Sequence, residues 1–294
     1  MRHWPAWMLA AVIPLVAACA PASMGTPSSS SDGPRVVAAF YPLQYAAQQI
    51  GGTGVSVTNL TQPGIEPHDL ELSAQQVGEI ANADLVLYVK GFQPAVDEAI
   101  AQQAPDRAID VSAELSRLTL DGAADPHVWL DPANMSAIGT AIAERLAEIS
   151  PDNAAAYAKN SSALTSAMTT LSTDYSTALA NCRTRTMVVS HDAFGYLAKA
   201  FGLTQVGISG LSPEAEPSPA RIREVADVVA KQNVTTIYYE TLVDPKVAQT
   251  IADETGASAQ KLDPLEGLQP DSTGDYASVM RENLSTLTKG QGCS

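Results

Sequence analysis

His68, His127 and His191 are the side chains most able to do chemistry here. The chain has four histidines. The other one, His3, falls in a segment expected to be removed on export. The three stand in similar settings: Pro67-His68-Asp69, Pro126-His127-Val128 and Ser190-His191-Asp192. Around His127 the run is Asp125-Pro126-His127-Val128-Trp129-Leu130-Asp131-Pro132, a histidine between two Asp-Pro breakers with apolar anchors behind it. Proline sets φ and restricts the residue before it, so this is a stiff loop that presents one imidazole. Neutral imidazole is a borderline-soft ligand suited to Zn²⁺ and its neighbours. Three imidazoles leave a fourth position, for which a carboxylate of the second half is the natural donor. Asp275, which opens the final helix, is the first choice and Glu240, at a strand end, the second. Asp275 also suits a plain helix N-cap. Asp131 and Asp192 read as caps or turns, or as groups orienting a ring nitrogen.

The elements that must position these residues alternate strand and helix. Strands are expected at 35–40, 55–60, 84–89 and 108–110, and helices at 43–50, 73–82 and 94–103. A helix over 134–149 stops at Ser150-Pro151. Residues 152–181 then contain neither Gly nor Pro. That is roughly 45 Å of helix, read as one spine between two lobes rather than two antiparallel helices. The pattern restarts with strands at 186–189, 204–208, 234–239 and 260–262, and helices at 193–201, 219–232, 245–255 and 276–288. The fold class is α/β: two similar lobes with parallel sheets joined by one long rigid helix. The expected division is 35–150, 151–181 and 182–294. Each histidine follows a strand, and ligands bind at the carboxyl edge of open α/β sheets. The metal site therefore belongs in the cleft between the lobes.

Composition agrees with an exported globular protein. At 294 residues and 45% hydrophobic, the chain can build substantial cores. A net charge of -15 argues against nucleic acid and anionic membranes as partners. Residues 1–18 have the layout of a signal peptide, ending in Val16-Ala17-Ala18 before Cys19. That run resembles the bacterial lipobox, in which the cysteine carries lipid. A Ser-, Pro- and Gly-rich tether follows to residue 34. The protein is thus expected outside the cytoplasm, lipid-anchored at the cell membrane. Cys182 and Cys293 remain as a pair, expected as a disulfide, with zinc thiolate ligation the alternative.

Several stretches together resemble the substrate-binding lipoproteins of bacterial zinc and manganese ABC importers. They are Glu66-Pro67-His68-Asp69-Leu70-Glu71-Leu72, the Asp125 run, Val189-Ser190-His191-Asp192-Ala193-Phe194-Gly195-Tyr196, residues 207–219 and Tyr239-Glu240-Thr241-Leu242-Val243. The resemblance covers residues 36–283. It implies metal binding at His68, His127, His191 and Asp275, limited lobe closure, a monomer, and delivery to a membrane permease without catalysis. Manganese-preferring relatives have a glutamate where His191 stands, and Mn²⁺ favours harder oxygen donors, so zinc is the expected cargo. Many zinc members have a His-rich loop before the second ligand, but residues 113–124 contain no histidine. The rival from another class is a secreted zinc hydrolase, but no HExxH or nucleophile motif occurs. A cell-surface adhesin role, sometimes given to such lipoproteins, has no independent support in the sequence.

Overall fold

Two all-parallel sheets organise the chain in a computed structural model that describes Met1, His3, Trp4 and residues 33–294. The rest of the expected signal peptide, Cys19 and the tether up to residue 32 lie outside the described residues. The first sheet has the order β2-β1-β3-β4, from β1 (Arg35–Ala38), β2 (Ser56–Asn59), β3 (Leu85–Tyr88) and β4 (Ala108–Asp110). Helices α1 (Tyr41–Gly51), α2 (Ala74–Asn82) and α3 (Pro94–Gln103) connect these strands. The central strands β1 and β3 are apolar and almost wholly buried, whereas β2 and β4 at the edges are half-exposed. That is the burial expected when both faces of a parallel sheet are covered.

Between the first sheet and the second come a small hairpin and two helices. Strands β5 (Thr119–Leu120) and β6 (Ala123–Ala124) pair antiparallel around Asp121-Gly122, both with positive φ, at 50° and 86°. Asp-Gly in that conformation makes a tight hairpin turn. Sequence periodicity missed it because each strand has two residues. Helix α4 (Pro132–Ile149) starts under an Asp131 cap, and α5 (Ala154–Ala178) is the long connector. Its 25 residues reach roughly 37 Å, and it is one unbroken helix. The helix is shorter than the expected 152–181 because Pro151–Asn153 forms a 3-10 turn and the last helical residue is Ala178. It packs on α1 and α4 and, further along, beneath the last helix, where the Tyr175 hydroxyl donates to the Met280 carbonyl at 2.6 Å.

The second sheet repeats the plan in the order β10-β9-β7-β8. Its strands are β7 (Thr186–Val189), β8 (Thr204–Gly207), β9 (Thr236–Tyr239) and β10 (Ser258–Lys261). Helices α6 (Gly195–Phe201), α7 (Pro219–Lys231), α8 (Lys246–Thr255) and α9 (Tyr276–Gly290) complete it. Cys182 and Cys293 are joined as a disulfide, tying the C-terminal tail to the start of this lobe. One apolar cluster runs from Val36 and Phe40 through Leu171 and Tyr175 to Met187, Val189 and Tyr276. A smaller one fills the other face of the second sheet, around Val188, Val225 and Ile237. The lobes thus share a core, and large relative motion would expose apolar surface to water.

Candidate metal centre

Because both sheets are parallel, their strands deliver the following loops to one edge, and three such loops meet there with the segment that leaves hairpin β5–β6. His68 comes from the loop after β2, His127 from the turn after β6, His191 from the turn after β7, and Glu266 from the loop after β10. Each offers one donor atom, and the four donors lie within 4.8 Å of one another. Oε1 of Glu266 lies 3.3 Å from Nε2 of His68, 3.1 Å from that of His127 and 3.2 Å from that of His191. His127, His191 and Glu266 are buried, and His68 stands at the margin.

The imidazoles are aimed from behind. Nδ1 of His127 donates to Asp125 Oδ1 at 2.7 Å, and the same oxygen accepts the His127 backbone N–H at 2.9 Å. Nδ1 of His191 donates to Glu240 Oε1 at 2.7 Å. In the neutral ring this bond keeps the proton on Nδ1, so that Nε2 can offer its lone pair to an ion at the common centre. Such carboxylate–histidine pairs set the tautomer and raise the basicity of a metal ligand. The ring of His68 packs edge-on against Phe92, with centroids 4.6 Å apart. Its backbone N–H donates to the Glu66 carboxylate at 3.0 Å.

Charge in the cluster is mutually sustained. Burial alone would raise the Glu266 carboxyl, but the charge of His191 and hydrogen bonds from the three imidazoles hold it well below the usual range. Burial would lower His191, yet Glu240 and Glu266 outweigh it and hold that ring well above its ordinary value. His127 is raised for the same reason by Asp125 and Glu266. Glu66 is pushed up to about 7, first by burial and then by the charge of Glu266. A dication entering this cluster would take the place of imidazole protons.

Sequence reasoning missed Glu266 as a donor. Asp275 does not join the three histidines: it caps α9, where its Oδ1 accepts the Ser278 N–H at 2.8 Å. An acidic residue directly before a helix is committed to unsatisfied amides of the first turn. Glu240, the second choice, reaches the cluster only through the outer nitrogen of His191. Asp131 caps α4, and Asp192 accepts from Gln205 at 2.9 Å, so neither orients a ring. Glu266 is aimed by an unusual backbone. Leu265 before it has φ 57°, a left-handed conformation that costs a branched residue about 1–3 kcal/mol. The surroundings impose it. The Leu265 N–H donates to Asp263 Oδ1 at 2.8 Å, the Trp129 indole N–H donates to the Pro264 carbonyl at 2.8 Å, and Asn283 brackets the Asp263 backbone. The available signal was another Asp-Pro, Asp263-Pro264, with a glutamate just beyond in a post-strand loop.

Two α/β lobes enclosing a buried set of three imidazoles and one carboxylate define a two-lobed binding protein with its donor set in the cleft. The chain belongs to the ZnuA family, described as "Zinc-uptake complex component A periplasmic", whose model matches residues 36–290. It is 33% identical over 306 residues to the high-affinity zinc uptake system protein ZnuA of Bacillus subtilis, covering 96% of this chain and 95% of that one. It is 32% identical over 273 residues to the zinc-binding lipoprotein AdcA of Streptococcus pneumoniae, covering 86% of this chain but 54% of AdcA. Among solved structures it resembles the laminin-binding protein Lmb of Streptococcus agalactiae, described as bifunctional with adhesin and metal-transporting activity. That match has TM-score 0.81 and 33% identity, over 88% of this chain and 100% of Lmb. Zinc-bound AdcA of Streptococcus pneumoniae matches with TM-score 0.77 and 32% identity, over 88% of this chain and 58% of AdcA.

Proposed function

We propose that this protein captures Zn²⁺ outside the cytoplasm and hands it to the membrane permease of an ABC importer. His68, His127, His191 and Glu266 are the proposed ligands, in place of the Asp275 expected from sequence. The observation that carries this reading is the convergence of four donors from four loops on one buried point. A closed set of four nitrogen and oxygen ligands is the usual tetrahedral shell of zinc. Three imidazoles against one carboxylate favour zinc over manganese, whose harder ion prefers oxygen donors. The zinc-named relatives support the same choice.

Binding rather than hydrolysis fits the donor set. Hydrolytic zinc sites keep an open position for water beside a general base. Here Glu266 supplies the fourth donor, while Asp125 and Glu240 are engaged by ring nitrogens. Lipid attachment at Cys19, a monomeric state, and lobes at 35–150 and 182–294 linked by 151–181 complete the proposal. The lipobox-like Val16-Ala17-Ala18-Cys19 and the lipoprotein name of AdcA support the anchor. The test is titration of the metal-stripped protein with Zn²⁺ and Mn²⁺ in competition with a chromophoric chelator. Tight one-to-one zinc binding with much weaker manganese binding is expected. Equal affinities would sink the zinc preference, and turnover of ester or peptide substrates abolished by chelator would revive the hydrolase.

A further inference from the structure

The hairpin β5–β6 ends directly before His127, and it is closed by residues 118 and 125, with the Asp125 N–H donating to the Leu118 carbonyl at 2.9 Å. A side chain of the other lobe sits on this closing pair. The Tyr196 hydroxyl accepts the Leu118 N–H at 3.0 Å and donates to the Asp125 carbonyl at 3.2 Å. Tyr196 is 4% exposed, so these bonds are made out of reach of bulk water. The residue before it, Gly195, lies against the Asp125 carboxylate. A Cβ there would stand 2.6 Å from Asp125 Oδ2, closer than any real contact allows. Relief requires Asp125 to turn its carboxylate or the backbone beside it to shift. Its other oxygen, Oδ1, already holds both the backbone N–H and Nδ1 of His127.

We infer that Gly195 and Tyr196 are positioning residues for the metal centre, acting through Asp125 on the His127 imidazole. This deepens the zinc-carrier reading and rests on it. The physical logic is preorganisation: an imidazole held in one tautomer and one orientation loses less freedom when it takes the ion. The same segment that carries His191 leads into α6 and supplies Gly195 and Tyr196. His127 in one lobe and His191 in the other are therefore set in place together. The aim of His127 depends on the lobes being in contact, and this couples ligand orientation to closure of the cleft.

The test uses the metal-stripped full chain with Tyr196→Phe, Gly195→Ala and Asp125→Ala, and with Tyr157→Phe as control. Tyr157 is also buried, but its hydroxyl has no hydrogen-bond partner among the described residues. Tyr196→Phe should weaken zinc binding about tenfold, the lower end for outer partners of a ligand. Gly195→Ala should match or exceed that, and Tyr157→Phe should stay within twofold of the parent. In an Asp125→Ala background, Tyr196→Phe should add less than twofold, because the route is already cut. In the metal-free protein, the hydrogen-bonded His127 Nδ1–H resonance of the parent should shift or exchange faster in Tyr196→Phe. Unchanged affinity in Tyr196→Phe, or its full effect persisting without the Asp125 carboxylate, would overturn the inference while leaving the carrier reading standing. A parent protein that does not bind zinc would overturn both.

Discussion

Replacing Glu266 by glutamine tests the proposed ligand set most directly. The substitution keeps shape and one carbonyl oxygen but removes the negative charge that, among the described residues, faces all three imidazoles. Glu266 is 2% exposed, so bulk water is poorly placed to replace it. A dication and a carboxylate about 2.1 Å apart attract by about 16 kcal/mol at an effective dielectric of about 20. Lost hydration of both ions offsets most of this, and breaking a buried charge pair costs a net 3–5 kcal/mol or so. Taking the lower part of that range, because an amide oxygen remains, about 3–4 kcal/mol corresponds to roughly 10²–10³-fold weaker zinc binding. The assay is competition with a chromophoric chelator, paired with calorimetry in two buffers of different ionisation enthalpy to count protons released. The parent should release protons from His127 and His191, both raised above their ordinary value, so apparent affinity falls as pH falls. Glu266→Gln should release fewer, because His191 loses one carboxylate that keeps it charged. Asp275→Ala should leave zinc affinity unchanged and lose its helix cap, about 1 kcal/mol. A change under threefold in Glu266→Gln would refute the ligand assignment. A large loss in Asp275→Ala would return that carboxylate to the metal.

Three further outcomes are expected. Glu240→Gln removes the carboxylate behind His191 and should weaken zinc binding about 10–100-fold, read by the same competition assay. Cys293→Ser opens the cross-link to Cys182 and should lower unfolding stability by about 2–4 kcal/mol in denaturant titration, with zinc affinity preserved. The third concerns Asp263, whose carboxyl is raised by burial to about 6 from an ordinary 3.8. The native state then holds this proton more tightly than the unfolded chain, so stability is lost as pH rises from about 4 through 6, by about 3 kcal/mol in total. Asp263→Asn should flatten that part of the stability–pH curve in the metal-free protein; an unchanged slope would refute the assignment.

Much of the fold was legible because it is written in local pattern. Apolar runs of four residues such as Leu85–Tyr88 and Thr186–Val189 bury on both faces, and the Ser73 and Ser218 caps mark where helices begin. Alternation of these elements leaves little choice but two parallel sheets. The hairpin before His127 escaped because its signal, Asp121-Gly122, lies between strands too short to carry a period.

The sequence by itself pointed to the imidazoles that meet, because His68 and His191 stand in loops after strands of parallel sheets and His127 in a stiff loop between two Asp-Pro steps. It also pointed to a disulfide between Cys182 and Cys293, with zinc thiolate ligation as the alternative, and the structure joins the two. Only the tertiary structure brought a particular carboxylate, that of Glu266, against the three imidazoles. Glu266 is 198, 139 and 75 residues from His68, His127 and His191 (266 − 68, 266 − 127, 266 − 191). Its aim depends on a left-handed Leu265 clamped by Trp129 from the other lobe and Asn283 from α9. Those contacts follow from lobe packing and leave no local pattern. Asp275 has a strong local pattern, and the helix amides beside it take up its carboxylate.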